Sequence, residues 1–294
     1  MHDHLGPVES GYTVGRSAQF APADAFDRLG SRRYLADHDR GLRARAPATS
    51  GSVDVGPGGD TMGQATVGLI MAALDVDVDN GAVWNRWYDL EHLAPNLAMP
   101  GIVAGHRYVA PPALHRSRRT AARDPAWGAG RGVYLTWYAT SVDPEIAITA
   151  MSARRDELEA QGRMERAGTR VVRLGDALEL VEARADPDLR LETEELIHVG
   201  HAGLRLILEM TERAPSTPLS VIGALRFASR FQPGLFAELQ LLDRPAATVI
   251  DELQESDPRP GATLDAGFDP IVPLHHPFLD TIEASDLPRT VTGH

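Results

Sequence analysis

The sequence predicts an α+β fold of two tandem units, the first ordered strand, helix, strand, strand, helix, strand. Three observations lead there. Between residues 67 and 183, apolar runs of strand length alternate in that order with stretches of helical spacing. Two of these stretches then recur: residues 102–108 align with 221–227, and 132–135 with 234–237. Each pair is followed by a helix signal, Asp143-Pro144 or Asp243-Arg244-Pro245. Finally, residues 1–63 and 255–294 are rich in Gly, Pro, Asp, Ser and Arg with few spaced apolar residues, which leaves a folded part of roughly 190 residues. The element order is the split β-α-β, or ferredoxin-like, arrangement. Two such sheets packed face to face close into an α+β barrel with helices outside and a cavity within.

Taken in order, residues 67–76 form an apolar run of strand length. Asp79-Asn80-Gly81 stops it and offers a helix cap. Residues 82–94 read as a helix with Val83, Trp87, Leu90, Ala94 and Leu97 on one face, ended or kinked by Pro95. Residues 102–109 and 133–140 are strands around a long Arg-, Pro- and Gly-rich loop. Asp143-Pro144 opens a helix running to about Gln161, and residues 171–183 make one or two further strands. In the second unit, Leu204, Leu206, Leu208 and Met210 alternate with Arg205, Ile207, Glu209 and Thr211, which reads as a strand over 203–211. A helix over 189–213 competes, weakened by Gly200 and Gly203. Only about nine residues then precede the next strand, so the second unit lacks the first helix. The divisions are an N-terminal arm 1–63, a first unit 64–185, a degenerate second unit 186–254 and a C-terminal arm 255–294.

Composition excludes several classes. With 41 acidic against 29 basic residues, the net charge of −12 argues against a nucleic-acid partner. The Arg116, Arg118, Arg119 and Arg123 cluster reads as a solvated loop. Without cysteine there is no disulfide, thiolate or Cys-ligated metal, and a cytoplasmic setting fits. The opening Met1-His2-Asp3-His4 lacks signal-peptide character. The longest apolar run, about ten residues, is too short to span a bilayer.

Period-two alternation assigns the strand faces. Val133, Leu135, Trp137 and Ala139 share one face, Tyr134, Thr136 and Tyr138 the other. In the second unit Leu235, Ala237, Leu239 and Leu241 oppose Phe236, Glu238 and Gln240. Sending the purely apolar sets to the helices leaves Tyr134, Thr136, Tyr138, Glu238 and Gln240 for the barrel interior. His106 and Tyr108 match Leu225 and Phe227, so they read as packing. Arg107 and Arg226 recur beside the small residues Gly105 and Ala224. Either they hold a carboxylate or enolate ligand in bidentate fashion or they pair with sheet-edge carboxylates.

Residues 84–93 gather two Trp, a Tyr, two carboxylates and a His. The run Trp84…Tyr88-x-x-Glu91-His92-x-x-Pro95…Pro100-Gly101…Arg107-Tyr108 resembles the EthD-like branch of the dimeric α+β barrel superfamily. The match covers about residues 65–150, with a degenerate echo at 200–255, and the arms have no counterpart in it. Its His-to-Pro spacing is one residue longer than the commonest form of that signature. The resemblance implies small-molecule chemistry, often cofactor-free, of the isomerase, cyclase or monooxygenase kind. Haem enzymes occur in the same superfamily, and its members typically form homo-oligomers. A tandem chain would build the equivalent of the dimeric barrel by itself.

The expected chemistry follows from the helix spacing. Asn85, Tyr88 and His92 share a face, and Asp89 lies three residues before His92, where it could hold one imidazole nitrogen and leave the other as a base. The alternative is that His92 caps the helix end. Glu238 inside an apolar barrel would have a raised pKa and accept protons, unless it sits at an exposed sheet edge. Asn85, Arg107, Arg226, Tyr134, Tyr138 and Gln240 are the candidate substrate-binding residues, and His92, Asp89, Tyr88 and Glu238 the catalytic ones. Glu194, Glu195, His198 and His201 approach metal spacing, and His275-His276 is a further pair, but zinc helices want His at i and i+4, so no metal is expected. No cofactor is expected either. The alternative is haem, with His92, His106 or His201 as axial ligand. No G-x-G-x-x-G, P-loop or G-x-S-x-G run is present. The expected partner is a small-molecule substrate, with neither nucleic acid nor membrane. A non-catalytic assembly protein, wrapped by its arms, is the remaining alternative.

Overall fold

The computed structural model describes residues 65–121, 126–128, 130–163 and 170–285. The N-terminal arm of the sequence analysis lies outside them. The first unit runs β1 (Gly68–Val76), a helix in three pieces, β2 (Ile102–Val109), a short α3 (Pro112–Ser117) with the two-residue β3 (Arg119–Thr120), β4 (Tyr134–Thr140), α4 (Pro144–Ala160) and β5 (Arg170–Ala185). The three helical pieces are α1 (Gly81–Trp87), a wide π-helical turn over Tyr88–Leu93, and α2 (Ala94–Leu97). The second unit runs β6 (Gly203–Glu209), β7 (Val221–Ser229), β8 (Phe236–Leu242), α5 (Ala246–Ser256) and β9 (Leu264–Pro270), followed by α6 (Phe278–Glu283).

All pairings are antiparallel. The order β2-β4-β1-β5-β7-β8-β6-β9 closes through β9 on β2, at Tyr108 opposite Pro270 and Val109 opposite Asp269. Among the described residues this is an eight-stranded barrel, and each half shows the ferredoxin-like order second-third-first-fourth. The repeat extends to a local defect. Pairing slips between Ile102 and Ala104 in β2 and between Val221 and Gly223 in β7, so both second strands carry a bulge at the matching residue. As expected, the second unit has no helix between its first two strands.

Three expectations need correction. Residues 255–294 are not simply an arm, because β9 within them is the strand that closes the barrel. Its Gly267, Pro270 and two aspartates mask the apolar alternation of Leu264, Ala266 and Phe268.

The second correction is to the strand faces, which are reversed. Leu69, Met71, Leu135, Trp137, Leu206, Leu239, Ala266 and Phe268 belong to one buried cluster drawn from strands of both units. Cross-strand register puts Met71 beside Trp137 and Leu206 beside Leu239. Tyr134 and Tyr138 belong instead to the cluster that includes Trp84, Tyr88, Ala147 and Ile148 of the helices. The physical reason is closure. An eight-stranded barrel has an interior just wide enough for side chains to fill, so the purely apolar faces go inward. The mixed faces meet the helices, where polar groups find partners.

The third correction is to the helix. Val83, Leu90 and Leu97 are exposed, at 62%, 45% and 39%, while Trp84, Asn85, Tyr88, Asp89 and Asn96 are buried. Pro95 does not end the helix. It falls at the start of α2 with the π turn just ahead of it, a geometry that accommodates a residue without a backbone N–H. The turn at Pro100-Gly101 needs its glycine, since Gly101 has φ +85° and an added Cβ would meet Val142 Cγ2 at 2.8 Å.

Candidate functional site

The buried face of the α1–π–α2 helix lies on the outer face of β1, β2 and β4. Arg107 of β2 and Asp89 of the π turn form a buried ion pair, with side chains 3% and 1% exposed. Arg107 also donates Nη2 to Asn85 Oδ1 at 2.6 Å and stacks its guanidinium 4.2 Å from the Tyr88 ring centroid. Asp89 Oδ2 accepts the Leu274 N–H at 2.7 Å and meets His276 Nε2 at 2.9 Å. Arg107 is therefore a clamp between strand, helix and the segment after β9. Asp89 is occupied by that clamp and does not orient His92. Gly105 offers no room for a ligand either, because an added Cβ would lie 2.7 Å from Leu97 Cδ2 and 2.8 Å from Tyr138 Cδ1.

Asn85 donates to Tyr134 Oη at 3.1 Å and to Gly81 O at 2.8 Å, and Asn96 donates to Tyr138 Oη at 3.3 Å. Asn85 and Tyr134 thus fasten helix to sheet. Tyr88, His92, Asn96 and Tyr138 instead line a cavity of about 80 Å³. Ile70 and Ala72 of β1 form its floor. Its other wall is the α4 face that carries Ile148, Met151, Ser152 and Arg155, at the i, i+3, i+4, i+7 spacing of one helix stripe. That face went unrecognised in the sequence, although the spacing could have shown it. Its mixture of Ile, Met, Ser and Arg does not register as an apolar stripe.

His92 is the polar group in this wall without a partner to match it. Its ring stacks on Trp87 at 5.1 Å and meets Tyr88 edge-on at 4.5 Å, and its buried Nδ1 has no hydrogen-bond partner. Burial, then the positive charges of Arg170, Arg107 and Arg155, push the imidazole pKa down to about 3. The ring is neutral at pH 7. Burial likewise pushes the Tyr138 phenol well above its ordinary value, so it stays protonated.

The second-unit candidates are elsewhere and are closed. Arg226 pairs with Glu209 at 2.9 Å and Glu238 at 3.2 Å, and stacks over Phe236. Glu238 also takes Arg259 Nη1 at 3.0 Å and Nη2 at 2.9 Å, Gln240 Nε2 at 2.9 Å and the Ser216 N–H at 3.3 Å. Arg205 joins Gln240 to Asp265 and Asp257. In the repeat, Arg107 and Arg226 play the same part with carboxylates of different origin. The first unit takes Asp89 from its helix, and the second, lacking that helix, takes Glu209 and Glu238 from its strands. Glu238 thus lies not in an apolar interior but at the centre of a buried ion network on the outer face.

Tyr108 and His106 point into the barrel in the packing role expected from their twins. Tyr108 Oη lies 2.7 Å from His201 Nε2, while His201 Nδ1 lies 2.9 Å from Val199 O. Both ring nitrogens of His201 are engaged. Among the described residues no group of three or more His, Asp or Glu could hold a metal ion. Haem does not fit the three candidate histidines. His201 has no nitrogen to give, His106 is packed between Trp137 and His201 at 4.7 and 5.5 Å, and the cavity at His92 is well below the roughly 300 Å³ at which ordinary cofactor pockets begin. Among the described residues no helix is long and apolar enough to cross a membrane.

No protein-family model and no curated protein matches the chain. Among solved structures it is similar to one described as a candidate chlorite dismutase, at 10% identity and a TM-score of 0.40, over 74% of this chain and 98% of that one. It is also similar to a candidate monooxygenase from Lactobacillus acidophilus, at 10% identity and a TM-score of 0.35, over 70% and 93%. The assignment of this chain as a tandem ferredoxin-like α+β barrel rests on its own strand order.

Proposed function

We propose that the chain is a small-molecule enzyme in which the pocket between the π turn, α4 and the outer sheet face promotes proton transfer next to a carbonyl, without a cofactor. The observation that carries this reading is His92. It is a neutral imidazole with an unpartnered, buried Nδ1, held in a cavity wall by a π-helical turn. Buried polar groups ordinarily find partners, and π turns are frequent at functional sites. A substrate that supplies the missing partner gains a hydrogen bond that no protein group competes for. The EthD-like motif at Trp84–Tyr108 supports the same chemistry.

Within the pocket, His92 accepts a hydrogen bond from the substrate and takes its proton only when negative charge developing on the bound substrate raises the imidazole pKa, while Ser152 is placed to donate to a substrate oxygen. Trp87 and Tyr88 fix the imidazole plane. Tyr88 is itself fixed by Arg107, so the clamp positions the base without touching the substrate. The barrel interior, filled by Leu, Met, Trp and Phe side chains, is not the site in this reading.

The test needs no knowledge of the physiological substrate. Exchange of α-hydrogens of small ketones and oxo acids in D2O, followed by proton NMR, should be accelerated by the protein. It should fall at least about 100-fold in His92→Gln, the usual scale of a lost acid–base group. Equal rates in the two proteins would refute the assignment.

A further inference from the structure

Building on the reading of the His92 pocket as a small-molecule site, we infer that its ligand is a small organic monoanion, a carboxylate or enolate with an apolar body of a few carbons, and that Arg155 is the residue that selects it. The cavity lining contains one formal charge, the Arg155 guanidinium, and no carboxylate. Arg155 reaches Asp156 through Nε and Nη2 at 3.2 and 2.9 Å, and Glu159 lies at 3.9 Å. Both carboxylates are solvent-exposed, at 57% and 44%, whereas the Arg155 side chain is only 25% exposed. Exposed pairs of this kind contribute little and exchange readily. A carboxylate brought to the more sheltered, pocket side of the same guanidinium meets its fork where water screens it less.

Other charges near the pocket do not cancel this preference. Arg107 is already neutralised by Asp89, which is turned away into the clamp. His92 contributes no charge at neutral pH. Tyr138 is already hydrogen-bonded to both Asn96 and Tyr88 and adds no charge, so Ser152 is the lining hydroxyl placed to donate to a ligand oxygen. The floor and far wall, Ile70, Ala72, Ile148 and Met151, suit an alkyl body, and about 80 Å³ limits that body to a few carbons. The net charge of −12 over the whole chain repels anions at long range, so a local cation is what an anion site here requires.

Propionate and its neutral isostere propionamide separate charge from shape. The full chain is labelled at its methionine methyls, the Met151 signal is assigned by its loss in Met151→Leu, and each compound is titrated. Propionate is expected to shift the Met151 methyl saturably and to bind at least tenfold more tightly than propionamide. Arg155→Met is expected to weaken propionate about tenfold, and Arg154→Met, one residue along on α4, to leave it unchanged. Equal binding of acid and amide, or unchanged propionate binding in Arg155→Met, would overturn the anion inference while leaving the pocket a ligand site. A Met151 methyl that responds to neither compound would overturn both this inference and the proposed function.

Discussion

Removing the Arg107 guanidinium tests whether this residue is a clamp or a ligand anchor. In Arg107→Met the apolar stem survives, but Asp89, 1% exposed, loses the cation that balances it. Breaking one side of a buried ion pair costs about 3–5 kcal/mol, because the remaining charge is left without compensation. The Leu274 N–H and His276 still reach Asp89, so the lower half of that range is expected. With a urea slope of roughly 2 kcal/mol per molar, the unfolding midpoint should fall by about 1.5–2 M. Adding Asp89→Asn removes the stranded charge, and the double variant should lose less than the sum of the singles by about 1 kcal/mol or more. The assay is urea unfolding of the wild type, the two singles and the double by tryptophan fluorescence. A midpoint within about 0.3 M of wild type in Arg107→Met, or strictly additive losses, would refute the clamp and return Arg107 to the candidate ligand residues.

Glu238→Gln leaves Arg226 and Arg259 short of an anion in a closed network, so it should lower stability by about 3 kcal/mol. It should leave α-hydrogen exchange unchanged, and a lost exchange rate in folded protein would show that Glu238 is catalytic after all. Asp176, fully buried and held by Ser229 at 2.6 Å, has its pKa raised to about 6, chiefly by burial. Its folded pKa lies above the ordinary 3.8, so the folded state binds the proton more tightly and stability falls as pH rises from about 4 to 6, by at most about 3 kcal/mol. Asp176→Asn should flatten that part of the stability–pH curve, and an unchanged slope would contradict the assignment. Gly105→Val drives a side chain into Leu97 and Tyr138. It should loosen α2 from the sheet, seen as faster amide exchange at Asn96 and Leu97, and unaltered protection there would show that the packing is not tight.

The barrel was legible in the sequence because its signals are local and repeated. The alternation in residues 133–140 and the echo of residues 102–108 in 221–227 identified the strands and their order, and the absence of a helix between β6 and β7 followed from a nine-residue gap. Which face turned inward was not legible. Alternation separates Leu135 and Trp137 from Tyr134 and Tyr138, but only closure of the sheet decides which set is enclosed. The buried face of the helix is hidden in the sequence for a related reason. Val83, Leu90 and Leu97 look like a core stripe, yet the sheet presents Arg107 and two tyrosines to this helix. It therefore buries Asn85, Asp89 and Asn96, the residues that can pair with them. Residue type and spacing single out His92, Tyr88 and Tyr138, which line one cavity, but not their neighbours. Asp89 serves Arg107, and the wall opposite His92 comes from Ser152 and Arg155, about 60 residues along the chain, which periodicity in the 82–94 segment cannot reveal. The β9 strand escaped because Asp265, Gly267 and Asp269 give it the composition of a tail.

The proposed chemistry depends on His92 being a neutral imidazole with an unpartnered nitrogen in the pocket wall. Long-range nitrogen–proton NMR of the histidine rings, with His92 assigned by its loss in His92→Gln, measures this directly. A ring that stays uncharged from pH 8 down to pH 5 and shifts when propionate is added is the result expected from its burial and from the surrounding arginines. A ring that takes up a proton between pH 6 and 7 and ignores propionate would contradict the account at its foundation.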